Sequence, residues 1–462
     1  MGNDAKKFIW NGIDLEQLRQ TMDDPADKAV SSLFNSESMG NLRELLTVMA
    51  KNDDFVSLKL PDEMHNFVQT ELKFNFSQQD INYFKQTHEI WKRDGMQFIF
   101  ILFFRALPYT YMAEKPANVL DITKLLETQT ERRIFETAQF VFDVMDKDWW
   151  YPEKRGILTA LKVRLMHASM RHVILINNTT NKQWNEEWGN PISQEDLIAT
   201  NQVFSLEFFK GMNMLGESLT PTEQAAWFHT WKTIAKIMGV QDELLSKDVE
   251  EAWSLQHTIY DHLFRDKTIA GVKLATALVK TLNTFHLHEE LTLYIMKRML
   301  ADEQFPDCFE RMLGPSFKDV CPELFTEHDT DEEVDANDKQ MRQNFKDHLI
   351  KYHSTLKDVR PNYASPKPKL NWLEKIWFFI LIIFGGQKEK LHLIDKHMNK
   401  LNDILYIDGT EEAVDELEEE AIIGAMNALG GILVGILSFH FRKGKNSGFR
   451  IPENLQEHWS LK

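Results

Sequence analysis

The sequence predicts an all-α fold: a large helical bundle followed by a C-terminal helical extension. Three observations predict it. Apolar residues recur at helical spacing through the first 300 positions, no alternating run is long enough for a convincing strand, and joins such as LGESLTP and MGVQDELL are short.

Residues 1–60 read as short helices with polar joins. Residues 14–22 and 40–51 are amphipathic, Pro25 and Pro61 punctuate them, and both stretches are expected to wrap the core. Ser77 is placed to cap a helix reaching Arg105, inside which QFIFILFF (97–104) is an uncharged run of eight. That is too short to cross a bilayer, so it reads as buried helix, closed by Pro108. A helix at 131–146 is joined by KDWWYPEKRG to another at 156–177; in the join, Trp149 and Trp150 suit packing better than a cofactor edge. Three helices follow near 194–215, 222–238 and 247–266, the first begun by Ser193 with Asp196 three residues on. One or two more fill 268–300. The HLHEE cluster there is not read as a metal site, because His286 and His288 diverge by about 200° on a helix.

The run HDTDEEVDAND (328–338) is acidic and turn-rich, and Pro361, Pro366 and Pro368 follow it. The expected organisation is therefore a domain over 1–327, a linker over 328–370 and a helical extension over 371–462. Two apolar stretches, 372–384 and 421–441, lie in the extension. The second is uncharged for 21 residues and contains Gly431-x-x-x-Gly435, with FRKGK behind it. It reads either as a membrane span or as a Gly-rich helical hairpin covering the core. Asn427, Ser438 and His440 weaken the span, so the protein is expected to be soluble or peripherally bound, with a C-terminal anchor as the other reading.

Composition narrows the function. Hydrophobic residues make up 43% of the 462, with 12 Trp and 31 Phe, enough for a sizeable core and against general disorder. A net charge of -17 argues against nucleic acid and anionic lipid as partners. With only Cys308 and Cys321 there is no disulfide framework, and MGNDAKKFIW lacks the apolar core of a secretion signal, so a cytoplasmic location is expected. Lys6 stands where a myristoylation signal needs Ser or Thr.

The chemistry-bearing residues sit on the two helices at 131–146 and 156–177. At 100° per residue, Arg164, His167 and Arg171 fall within about 60° of one another, an imidazole between two guanidiniums. Arg133, Glu136 and Thr137, spaced i, i+3, i+4, share a face amid Ile134, Phe135 and Phe140. Burying such groups is unfavourable unless something satisfies them. A haem would do so, iron for the imidazole and propionates for the arginines. The bare pattern also suits two ordinary helices with solvated arginines and a hydrogen-bonded core histidine.

R-x-x-x-T (133–137), GILTALKVRLMHASMRH (156–172) and NPISQEDLIATNQVFS (190–205) occur in order, with RALPYTYM (105–112) before them and WKTIAKIMGVQDELLSKDVEEAWSL (231–255) after. Together they resemble the haem-binding domain shared by latex-clearing proteins (rubber oxygenases) and MpaB-type oxygenases, over roughly residues 95–300. The resemblance implies a globin-like haem-binding core holding haem b, with His167 as the iron ligand and Arg164 and Arg171 on the propionates. It places Arg133, Glu136 and Thr137 at the catalytic face, with Arg298 a further arginine of the pattern. Rubber oxygenases carry a lysine just before the threonine, where this chain has Glu136. The substitution puts polyisoprene cleavage in doubt and is similar to the MpaB branch, whose named member cleaves a prenyl side chain. Glu114 is the other candidate base. The implied activity is a haem-dependent oxygenase that uses dioxygen to cleave an apolar, unsaturated prenyl or lipid-like substrate. The alternative is a non-catalytic haem-binding or membrane-associated helical scaffold.

Overall fold

The chain enters through a hairpin where periodicity suggested helix. In the computed structural model, which describes residues 8–35, 62–122, 136–151, 155–181, 183–264, 269–284, 289–311 and 426, Ile9–Trp10 (β1) pairs antiparallel with Ile13–Asp14 (β2). Asn11 (φ 49°) and Gly12 (φ 83°) form the turn, the left-handed pair that Asn-Gly supplies at little steric cost. Asp14 then accepts from the Glu16 amide and starts α1 (Leu15–Leu18), so the amphipathic stretch at 14–22 is helical for one turn only. The expected helix at 40–51 lies outside the described residues. α2 (Asp24–Asn35) and α3 (Asp62–Glu71) pack on one another.

Ser77 starts α4 (Gln78–Ile101) by a reciprocal bond pair with Asp80, its hydroxyl taking the Asp80 amide and its own amide going to the Asp80 carboxylate. The apolar run is buried from Phe98 to Phe104. Pro108 does not end this helix, contrary to expectation. The ladder widens into a π turn over Leu102–Ala106 and resumes as α5 (Leu107–Tyr111), whose second residue is Pro108. The bend comes later, about 100° into α6 (Glu114–Ile122).

Residues 136–144 form α7. α8 (Arg155–Asn181) is the longest described element, 27 residues or roughly 40 Å. α9 (Gln194–Gln202) is capped by Ser193 and Asp196 as expected. It passes through a second π turn, Val203–Glu207, into α10 (Phe208–Met214). α11 (Pro221–Ile237), α12 (Val249–Leu263), α13 (Ile269–Thr284) and α14 (Glu289–Met299) follow. The fold is all-α, with the N-terminal hairpin as the strand pair among the described residues.

α4 lies along α11 at the centre, where Phe98 meets Phe208, Trp227 and Trp231. The two π turns touch there, and Arg105 from one donates to Glu207 from the other at 2.7 Å, both side chains fully buried. A second apolar cluster lies between α2, α3 and α8, built from Ala26, Val30, Met64, Phe67, Leu165 and Ala168. Among the described residues no single helix is long and apolar enough to cross a membrane. The stretches at 328–370 and 372–384 lie outside them, as does 421–441 except for Met426, which is helical and buried in the main cluster.

Candidate functional site

The residues that leave α7 are packed against α4. Trp149 and Trp150 are buried against Phe84 at ring distances of 5.1 and 5.3 Å. Gly156 sits so close beneath Trp149 that a Cβ would come within 2.7 Å of the Trp149 Cβ and 2.9 Å of its carbonyl oxygen. α7 and α8 are tied by Asp143, which accepts from Thr159 Oγ1 at 2.8 Å and Gln139 Nε2 at 2.7 Å, all three side chains buried.

Around α8 the side chains sort by azimuth. Arg164 and Arg171 lie within about 20° of one line, roughly 40–60° to one side of His167. On its other side, over about 120° of arc, come Val163, Met166, Met170 and Val173, all like His167 only partly buried. The imidazole therefore stands at the border between a locked face and an apolar, incompletely covered one.

On the locked face both arginines are held by carboxylates. Arg164 is buried, its Nε and Nη2 forked onto Asp23 at 2.6 and 2.8 Å, and its Nη1 donating to Glu71 at 2.7 Å and to the Ile237 carbonyl at 3.3 Å. Burial would lower its pKa, but Asp23 and Glu71 outweigh it and the guanidinium is held more firmly charged than usual. All three of its guanidinium nitrogens thus have carboxylate partners. Arg171, also buried, gives Nε to Asp27 at 2.7 Å and Nη1 to the Ile192 carbonyl at 3.0 Å. Its Nη2 is buried with no hydrogen-bond acceptor among the described residues. Burial pushes the Asp27 carboxyl above the usual range despite Arg171.

Glu136 and Thr137 are partly buried in the first turn of α7, and Arg133 lies outside the described residues. Glu114 opens α6, which packs on α13, and Arg298 is half-buried in α14. His286 and His288 lie outside the described residues, among which no group of three His, Cys, Asp or Glu is arranged to hold a metal ion.

Two buried charge clusters escaped the sequence reading. Arg105 and Glu207 are joined by Tyr260, whose hydroxyl donates to Glu207 at 2.9 Å, and by Asp302, 3.1 Å from Arg105 Nη2 and 2.9 Å from Lys210. Nearer the N-terminus, Arg19 pairs with Asp196 and donates to the Trp188 carbonyl, and His262 bridges Glu195 at 2.6 Å and Glu16 at 2.8 Å. Burial raises the Glu195 pKa. RALPY and SQED, which carry Arg105, Glu195 and Asp196, lay inside the quoted blocks. Their partners in these clusters stand 67 to 197 residues away, so no local signal pointed to them.

The arrangement is that of an all-α bundle in which one long helix carries the partly buried His167 between an ion-paired face and an apolar one. Residues 91–320 match the family described as ER-bound oxygenase mpaB/B'/rubber oxygenase, catalytic domain, and the chain belongs to that family. A rubber oxygenase of Streptomyces sp. (strain K30) is 30% identical over 116 residues, which are 24% of this chain and 28% of that protein. The solved structure of the latex clearing protein LCP in its closed state shares the fold, with a TM-score of 0.53 at 18% identity over 71% of this chain and 90% of that one.

Proposed function

We propose that the chain is a haem b-dependent oxygenase that cleaves an apolar, unsaturated substrate, with His167 as the iron ligand. One observation carries this reading: His167 is only partly buried and borders a strip of likewise partly buried apolar side chains, Val163, Met166, Met170 and Val173. A planar apolar group with a metal at its centre needs an imidazole edge beside apolar contacts.

The donor set fits such a group. His167 would hold the iron through a ring nitrogen, and Arg171 Nη2 offers a buried N–H for a propionate. When bound, haem supplies the redox chemistry by which dioxygen is used. The protein's own part is to bind, orient and exclude water. Glu136 and Thr137 open α7, which the Thr159–Asp143 bond ties to the helix that carries His167. Glu136 then holds or moves a proton at its carboxylate and Thr137 orients through its hydroxyl.

Absorbance tests the reading. Purified protein reconstituted with haemin should show a Soret band that His167→Ala abolishes, and a wild-type protein that remains colourless would refute it. Reduced protein supplied with oxygen and prenylated compounds should consume oxygen. A coloured protein that consumes none with any unsaturated lipid is the non-catalytic alternative.

A further inference from the structure

The matched catalytic domain begins at residue 91, yet both arginines flanking His167 are held by carboxylates that precede it. Asp23 and Glu71 take Arg164, and Asp27 takes Arg171. We infer that Asp23 and Asp27 are positioning residues that set the rotation of α8 and thereby aim His167 at its ligand. This rests on the reading of His167 given above.

Geometry carries the inference. Arg164 lies about 4.5 Å along the axis before His167 and Arg171 about 6 Å after it. Two clamps on nearly one line, either side of the imidazole, resist rotation of the helix where a single clamp would act as a pivot. α2 fills the same face with Ala26, Ala29 and Val30 against Leu165 and Ala168, so the carboxylates arrive on a packed element and not a loose chain end.

The Asp23 end is keyed further. Gly239 (φ 90°) approaches so closely that a Cβ there would collide with the Asp23 carboxylate and stand 2.6 Å from Arg164 Nε. Buried Gln194 pins this turn, donating to the Met22 carbonyl at 3.1 Å and the Gly239 carbonyl at 2.9 Å and accepting from the Gln241 amide at 3.0 Å. The strand-side contacts of the same N-terminal segment, Arg19 with Asp196 and Glu16 with His262, touch α9 and α12 but not α8. They hold the segment down without bearing on the rotation of α8, and they supply the control.

The experiment compares full-length Asp23→Asn, Asp27→Asn and the double variant with Arg19→Lys and His167→Ala, each titrated with haemin and examined by Soret absorbance and electron paramagnetic resonance of the ferric form. The double variant is expected to bind haemin at least tenfold more weakly, with a changed axial-ligand signature and unchanged far-ultraviolet circular dichroism. Asp27→Glu should restore most of the loss. Arg19→Lys should lower the melting temperature while leaving haemin affinity within twofold. Wild-type affinity and spectrum in the double variant, with His167→Ala defective, overturns the positioning role alone. Wild-type binding by His167→Ala overturns the ligand assignment and this inference with it. If the double variant does not fold, Asp27→Asn at its partly exposed position is read by the same criteria.

Discussion

Replacing Arg105 by methionine tests whether the buried pair between the two π turns holds the centre of the bundle. Arg105 and Glu207 are both fully buried, and Arg105 also donates to the Met299 carbonyl at 2.6 Å. Removing the guanidinium leaves the fully buried Glu207 with the Tyr260 hydroxyl and no counter-charge among the described residues. An uncompensated buried charge costs about 3–5 kcal/mol, and the deserted carbonyl adds about 1 kcal/mol. A loss of about 4–6 kcal/mol is therefore expected, equivalent to roughly 8–12 °C in melting temperature at about 2 °C per kcal/mol for a large domain. Asp302 is less affected, because Lys210 at 2.9 Å remains. The decisive comparison is a cycle with Glu207→Leu and the double variant. Taking both charges out together should recover about 2 kcal/mol or more relative to the sum of the single losses. Denaturant unfolding followed by far-ultraviolet circular dichroism reads all four proteins. A loss below about 1 kcal/mol for Arg105→Met, or a cycle additive to within about 0.5 kcal/mol, would show that the pair is not what couples the two π turns.

Three further outcomes are expected. Gly156→Ala should lower stability by about 1–3 kcal/mol, because its Cβ would press on the Trp149 carbonyl at 2.9 Å; an alanine that stabilised, as in an unencumbered helix, would contradict that contact in a thermal melt. Ser77→Ala should cost about 1 kcal/mol through loss of the reciprocal bonds with Asp80, and an unchanged melting temperature would refute that. Burial holds the His172 and His229 imidazoles below their ordinary 6.5, so the unfolded chain takes up protons first and stability falls as pH drops through 6.5 toward the folded values. Melting temperatures between pH 7.5 and 5.5 should show this decline, and His229→Gln should make it shallower.

The sequence by itself determined what depends on neighbours three or four residues apart. Ser77 with Asp80 and Ser193 with Asp196 announced helix starts, the apolar run at 97–104 announced a buried helix, and the helical period set the all-α class and put Arg164, His167 and Arg171 near one face. The motif blocks named the family before any coordinate did. Tertiary structure alone decided the partners. Asp23 reaches Arg164 across 141 residues and Asp27 reaches Arg171 across 144, separations at which periodicity carries no signal. It also decided that the ladder widens at Leu102–Ala106 and Val203–Glu207, since a π turn is chosen by what faces it, here a buried Arg105 and Glu207 that must meet. The physical reason is one of range. Caps and amphipathic faces are settled by bonds within a turn or two of the chain, whereas a buried charge goes wherever the folded molecule supplies its opposite.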